Sequence, residues 1–120
     1  MSDQGPARPK PRAAQIIDLR AVKEQPADLA EADALRLIRI LAEDTNNIVV
    51  ISHGRKQTKL RRIARRQIEL CVQRGTITEG PFVNSRGNWQ VNLSRHAAGE
   101  EVTCVVAIEW AKRLIVITAF

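Results

Sequence analysis

Trp89-Gln90-Val91-Asn92-Leu93-Ser94 decides the fold, because apolar and polar residues alternate there with a period of two. That period places Trp89, Val91 and Leu93 on one face of a strand and the amides and serine on the other. Downstream, Val102, Cys104, Val106, Ile108 and Trp110 repeat the pattern as a second inward-facing series. Leu114 to Phe120 is apolar on both faces, which suits a strand with neighbours on either side. The connections Arg95–Glu100 and Ala111–Arg113 are short, as an antiparallel meander requires.

Upstream of these strands the period changes. Ala34, Leu37, Ile38 and Leu41 follow i, i+3, i+4, i+7 spacing, the buried stripe of a helix. Pro26 opens that pattern, Asp28 and Glu31 suit its first turn, and Thr45-Asn46-Asn47 ends it. Ile48 to Ile51 is a short β-branched run and reads as a strand. A second helix carries Ile68, Cys71 and Val72 on its buried face after a break near Ile63–Ala64, with Gly75 placed as its C′ residue. Thr76-Ile77-Thr78 is strand-like. The expected fold is therefore α+β: an antiparallel sheet of about four strands with two or three helices on one face. Residues 1–25, with three of the five prolines, read as a largely disordered N-terminal arm, and 26–120 as a single domain.

Composition narrows the function classes. No apolar run approaches the ~20 residues that cross a bilayer, and the basic residues near Met1 precede no apolar segment of the secretory kind. Cys71 and Cys104 lie inside apolar patterns without a CxxC or Cys/His cluster, so both read as reduced, buried core residues of a cytoplasmic protein. No metal-ligand spacing, phosphate-binding glycine loop or nucleophile elbow is present, and no cofactor is expected. Tyrosine is absent, so stacking platforms for single strands are poorly supplied.

Charge is uneven. Residues 52–74 hold eight lysines and arginines against Glu69 alone, whereas residues 27–44 hold five carboxylates against Arg36 and Arg39. A concentration of positive charge of this kind attracts polyanions. Arg55, Lys56, Gln57, Lys59, Arg62, Arg65 and Arg66, with Arg95 at a strand end, are the candidate contacts to nucleic acid, RNA first; a solvated helix face is the bland alternative. Ser52 can cap a helix, which places His53 beside unpartnered N–H groups and followed by Arg55 and Lys56. Cations there oppose the helix dipole unless an anion is bound.

On a helix, His53, Gln57 and Arg61 stand at i, i+4 and i+8 and share one face. RNA cleavage by 2′-hydroxyl attack needs an acid, a base and cationic stabilisation of the transition state. His53 fits the acid or base and Arg61 the phosphate holder; His53 equally fits a structural hydrogen bonder at a strand–helix junction. Glu79 can serve as a base or pair with Arg61. His96 reads as a solvated loop residue and Thr118 as an ordinary strand residue.

Several motifs in order resemble a bacterial family of unknown function: Ser52-His53-Gly54 with Arg61 and Ile63, Gly75 to Pro81, Gly87-Asn88-Trp89, and Leu114 to Phe120. Its signature is His-Ala-x-x-Arg-Met-x-x-Arg-Gly-Ile, a helix ending in Gly, an Ile-x-Glu strand, and a closing strand ending Thr-Ala-Tyr/Phe. That family is similar to the RelE/ParE-like toxins of the barnase–EndoU–colicin–RelE group. The resemblance implies helices on one face of an antiparallel sheet, a bacterial cytoplasmic setting, and toxin–antitoxin or polymorphic-toxin ancestry with an acidic antitoxin-like partner. It also implies a catalytic set of His53, Arg61, Glu79 and Thr118. Gln57 stands where the motif has its first Arg, Thr58 where it has Met, Arg62 where it has Gly, and Phe120 where Tyr often closes it.

Overall fold

A computed structural model describes residues 24–51 and 63–120. Among them are two α-helices and five strands. The order is α1 (Glu31–Ala42), a 3₁₀ turn (Thr45–Asn47), β1 (Ile48–Val50), α2 (Arg65–Arg74), β2 (Thr76–Val83), β3 (Trp89–Ala97), β4 (Glu100–Glu109) and β5 (Arg113–Ala119). The strands form one sheet in the order β1-β5-β4-β3-β2. The antiparallel meander of β2 to β5 matches the alternation. The sheet is nevertheless larger than about four strands and is mixed, because β1 joins it parallel to β5. A three-residue strand carries too little pattern to declare its partner, and the chain must cross over before that pairing exists. β5 does lie between two neighbours, as its two apolar faces suggested.

Both helices pack on the same side. α2 lies over β3 and β4, and α1 packs against α2 and reaches β2 and β5. The core between helices and sheet is aliphatic: Leu37, Ile38, Ile48, Val72, Val91, Leu93, Val106, Ile108, Leu114 and Val116 are fully buried. Burial of each such side chain contributes roughly 1.5–3 kcal/mol. Cys71 and Cys104 are free and fully buried, as expected.

Two local expectations are corrected. α1 begins at Glu31 rather than at Pro26, because Ala30 is still extended (φ −73°, ψ 154°) and Asp28 precedes the helix. The segment before it is tied to the sheet instead: the Trp89 indole Nε1 donates to the Pro26 carbonyl at 3.0 Å, and the Gln25 amide donates to the Gly87 carbonyl at 2.8 Å. Gly75 does end α2, yet its φ of −72° is not left-handed. Its role is space, since a Cβ there would lie 2.5 Å from the Cys71 carbonyl oxygen and 2.9 Å from that of Ser94. The expectation of a disordered arm falls, through residue 23, outside the described residues.

At the far end of α1, the Asn47 amide donates to the Leu41 carbonyl at 2.9 Å and satisfies one helix-end acceptor. At the start of α2, Ala64 offers no capping side chain, and its N–H donates instead to Gln67 Oε1 at 2.8 Å. No helix among the described residues is long and apolar enough to cross a membrane.

Candidate nucleic-acid interface

β1 runs parallel to β5, so the chain leaves it at the end of the sheet where β5 finishes. The Ile51 N–H still donates to the Val116 carbonyl at 3.3 Å. The chain is described again from Ile63, a buried core residue, and enters α2 two residues later. His53, Arg55, Lys56, Gln57, Lys59, Arg61 and Arg62 lie between these points, outside the described residues. The same end of the sheet carries Phe120, whose backbone pairs with Thr103, and the last residues of β3, Arg95 and His96.

The described cations differ in what they are free to do. Arg65 is committed to the fold: its guanidinium donates to the carbonyls of Thr45 (3.0 Å) and Ile48 (2.8 Å) and to the Glu69 carboxylate (2.9 Å). It thereby ties the first turn of α2 to the 3₁₀ turn and β1. Arg66 pairs with Glu69 at 3.3 Å but leaves 64% of its side chain exposed. The Arg65 hydrogen bond, helped by that of Arg66, holds the Glu69 carboxyl below the usual glutamate range against the opposing effect of burial. Arg74 is exposed at the other end of α2. Arg95, half-buried and opposite Val102, lines an open depression with Gln67, Ala97, Glu100 and Val102 beside the first turn of α2. His96 is exposed opposite Glu101.

Glu79 and Thr118 lie on the other face. Strand register sets Thr118, Val105, Asn92 and Glu79 in one row across the side of the sheet turned away from the helices. Three interstrand steps separate Thr118 from Glu79, about 14 Å. Glu79 accepts a hydrogen bond from the Asn92 amide at 3.0 Å. Thr118 Oγ1 is buried and has no hydrogen-bond partner among the described residues. The two residues share a face and a row but no contact.

Asn92 and its neighbours were not singled out by sequence. On the same face Ser94 Oγ and Thr103 Oγ1 are 2.8 Å apart, and the Asn84 amide donates to Gln90 Oε1 at 2.9 Å. The available signal was the polar half of the alternation itself, Gln90, Asn92 and Ser94. Arg65 also had a signal, its i, i+4 spacing to Glu69.

A family model matches residues 50–120, well over half the chain, from the last residue of β1 through β5. The chain belongs to the family described as domain of unknown function DUF4258. The match takes in the whole basic stretch and all of β2 to β5 and leaves α1 outside. No curated protein and no solved structure matches the chain.

Proposed function

We propose that this DUF4258 domain is a small RelE-like, toxin-related RNA-binding protein of the bacterial cytoplasm. One observation carries the reading: residues 52–74 hold eight lysines and arginines against one glutamate. Of these cations, Arg66 and Arg74 are described and lie exposed on α2, where they form positive surface. The half-buried Arg95 adds a cation beside the first turn of the same helix. Polyanion binding by such a surface releases counterions, so the affinity falls steeply with salt.

On this reading His53 acts as acid or base and Arg61 holds the scissile phosphate in a metal-independent phosphodiester transfer. A second reading, a binding module of the same fold without turnover, is favoured by a specific observation. Glu79 and Thr118, which the family resemblance adds to the catalytic set, stand about 14 Å apart, and Glu79 is engaged by Asn92. An acidic antitoxin-like protein would meet the same basic surface.

The test is a labelled structured RNA incubated with the protein in EDTA, beside His53→Ala and beside a Lys56→Ala/Lys59→Ala/Arg66→Ala variant. The expected result is salt-sensitive binding, with cleavage lost on the order of 10²–10⁴-fold in His53→Ala while binding persists. The triple variant should bind more weakly and with a shallower salt dependence, by about one unit of slope per phosphate contact removed. Binding without cleavage by either protein selects the second reading. Binding that ignores salt overturns both.

A further inference from the structure

The RNA-binding reading assigns no role to either cysteine, although Cys71 lies within residues 52–74, and the fold sets the two on facing elements, α2 and β4. Cys71 sits in the second turn of α2 facing the sheet, its Sγ 3.4 Å from the Leu93 carbonyl oxygen and 3.3 Å from that of Val102. Cys104 is the register partner of Leu93 on the neighbouring strand and lies on the same inward face. Both are fully buried and unbridged. The two carbonyls that Cys71 Sγ faces belong to Leu93, the register partner of Cys104, and to Val102, two residues before Cys104, so the helix sulfur is set against the part of the sheet that carries the Cys104 side chain.

The surroundings divide the two sulfurs into unlike roles. The Cys104 thiol stabilises a Cys71 thiolate most, backbone N–H groups of Cys104 and Arg95 and the Arg95 charge add to it, and burial opposes them; the net effect lowers Cys71 below the usual cysteine range. Cys104, holding the shared proton, is pushed up. Arg95 and Val102, two neighbours of Cys71, also wall the open depression beside the first turn of α2.

We propose that Cys71 and Cys104 are an oxidisable pair, in which a peroxide converts the two thiols into one disulfide that fixes α2 to β4. The Cys71 sulfur attacks one peroxide oxygen and breaks the O–O bond, giving a sulfenic acid and releasing water once protonated. The Cys104 sulfur then attacks the sulfenic sulfur, forming the S–S bond and breaking S–O, and its proton leaves with the hydroxyl as a second water. Two thiols and one peroxide give one disulfide and two waters: the sulfurs supply two electrons and the peroxide accepts them. This modification site is independent of RNA binding.

The test treats the folded full-length chain with hydrogen peroxide, blocks remaining thiols, and reads intact mass and non-reduced proteolytic peptides. The expected result is loss of two hydrogens per chain and a peptide linking Cys71 to Cys104, both reversed by dithiothreitol, with a raised urea midpoint. Cys104→Ala should accumulate the Cys71 sulfenic acid, trapped by dimedone, and Cys71→Ala should give far less adduct at Cys104. Because either variant can lose stability, the wild-type cross-link decides. A link that forms only in urea, a link only between chains, or thiols that stay reduced while glutathione is fully oxidised would each overturn the proposal.

Discussion

The two faces of the sheet are built from the same strands and obey opposite chemistry. Under the helices, Val91, Leu93, Cys104, Val106, Ile108, Leu114 and Val116 are sealed from water. On the reverse, the β2–β3 half is a lattice of polar side chains: Asn92 with Glu79, Ser94 with Thr103, Asn84 with Gln90. Nearer β5 the reverse face becomes largely apolar, with Ala107, Val105 and Ile115 beside the single hydroxyl of Thr118. The inner face therefore specifies the fold by excluding water, while the outer face carries chemistry that can change without altering the core. Both residues assigned to a catalytic set and described by the structure, Glu79 and Thr118, are on the changeable side.

The sharpest way to break this comparison uses adjacent residues of β3. Leu93→Ala opens a cavity under α2 and should cost about 2–5 kcal/mol in urea denaturation. If the loss is under about 1 kcal/mol, the inner face is not the dominant source of stability.

That asymmetry also explains what could be read from sequence. Alternation in 89–94 and 102–110 is a direct imprint of one wet and one dry face, so β3, β4 and the inward list were legible. Buried faces at i, i+3, i+4 exposed α1 and α2 for the same reason. β1 was visible as a run, but its parallel pairing was not, because pairing depends on a crossover and not on the three residues themselves. β2 extends to Val83 although Gly80 and Pro81 interrupt it, the strand bulging there between its paired residues. The site was less legible still. Charge identified the basic stretch, but no local pattern says that Arg65 is spent on carbonyls of Thr45 and Ile48, or that Glu79 and Thr118 lie in one row behind the sheet. Those facts come from register, which one chain's sequence encodes only through the whole fold.

Gly75 tests the junction between the two regimes, where α2 hands over to β2. Ala at this position places a methyl against the Cys71 and Ser94 carbonyls, both of them backbone atoms that cannot swing aside. Gly75→Ala should destabilise by about 1–3 kcal/mol. Gly87, whose Cβ position is open but whose φ is +85°, provides the contrast, since any loss there is conformational strain alone. Equal losses at the two sites would show that close approach at Gly75 is relieved by a small helix shift.

On the outer face, Asn92→Ala removes one exposed side-chain hydrogen bond to Glu79 and should cost only about 0.5–1 kcal/mol. Calorimetry on this variant beside Leu93→Ala measures the contrast between faces within two consecutive residues. A loss matching that of Leu93→Ala would make the polar lattice a second source of cooperativity.

The smallest expected effect has the opposite sign and belongs to neither face. Ala97 and Glu100 are register partners, so Ala98 and Gly99 form the whole β3–β4 turn. Both have positive φ, 56° and 80°, the geometry of a type I′ turn that follows the right-handed twist of the strands. Glycine adopts it freely, but alanine sets its Cβ against the following carbonyl, whereas asparagine tolerates the left-handed region. Ala98→Asn should therefore stabilise the domain by about 0.5 kcal/mol, read as a higher urea midpoint with an unchanged slope. Because the turn is exposed and touches neither the core nor the polar lattice, that gain should add in full to the losses in Leu93→Ala and Asn92→Ala. A gain that vanishes in the Asn92→Ala background would show instead that the turn and the outer face are coupled through the register of β3.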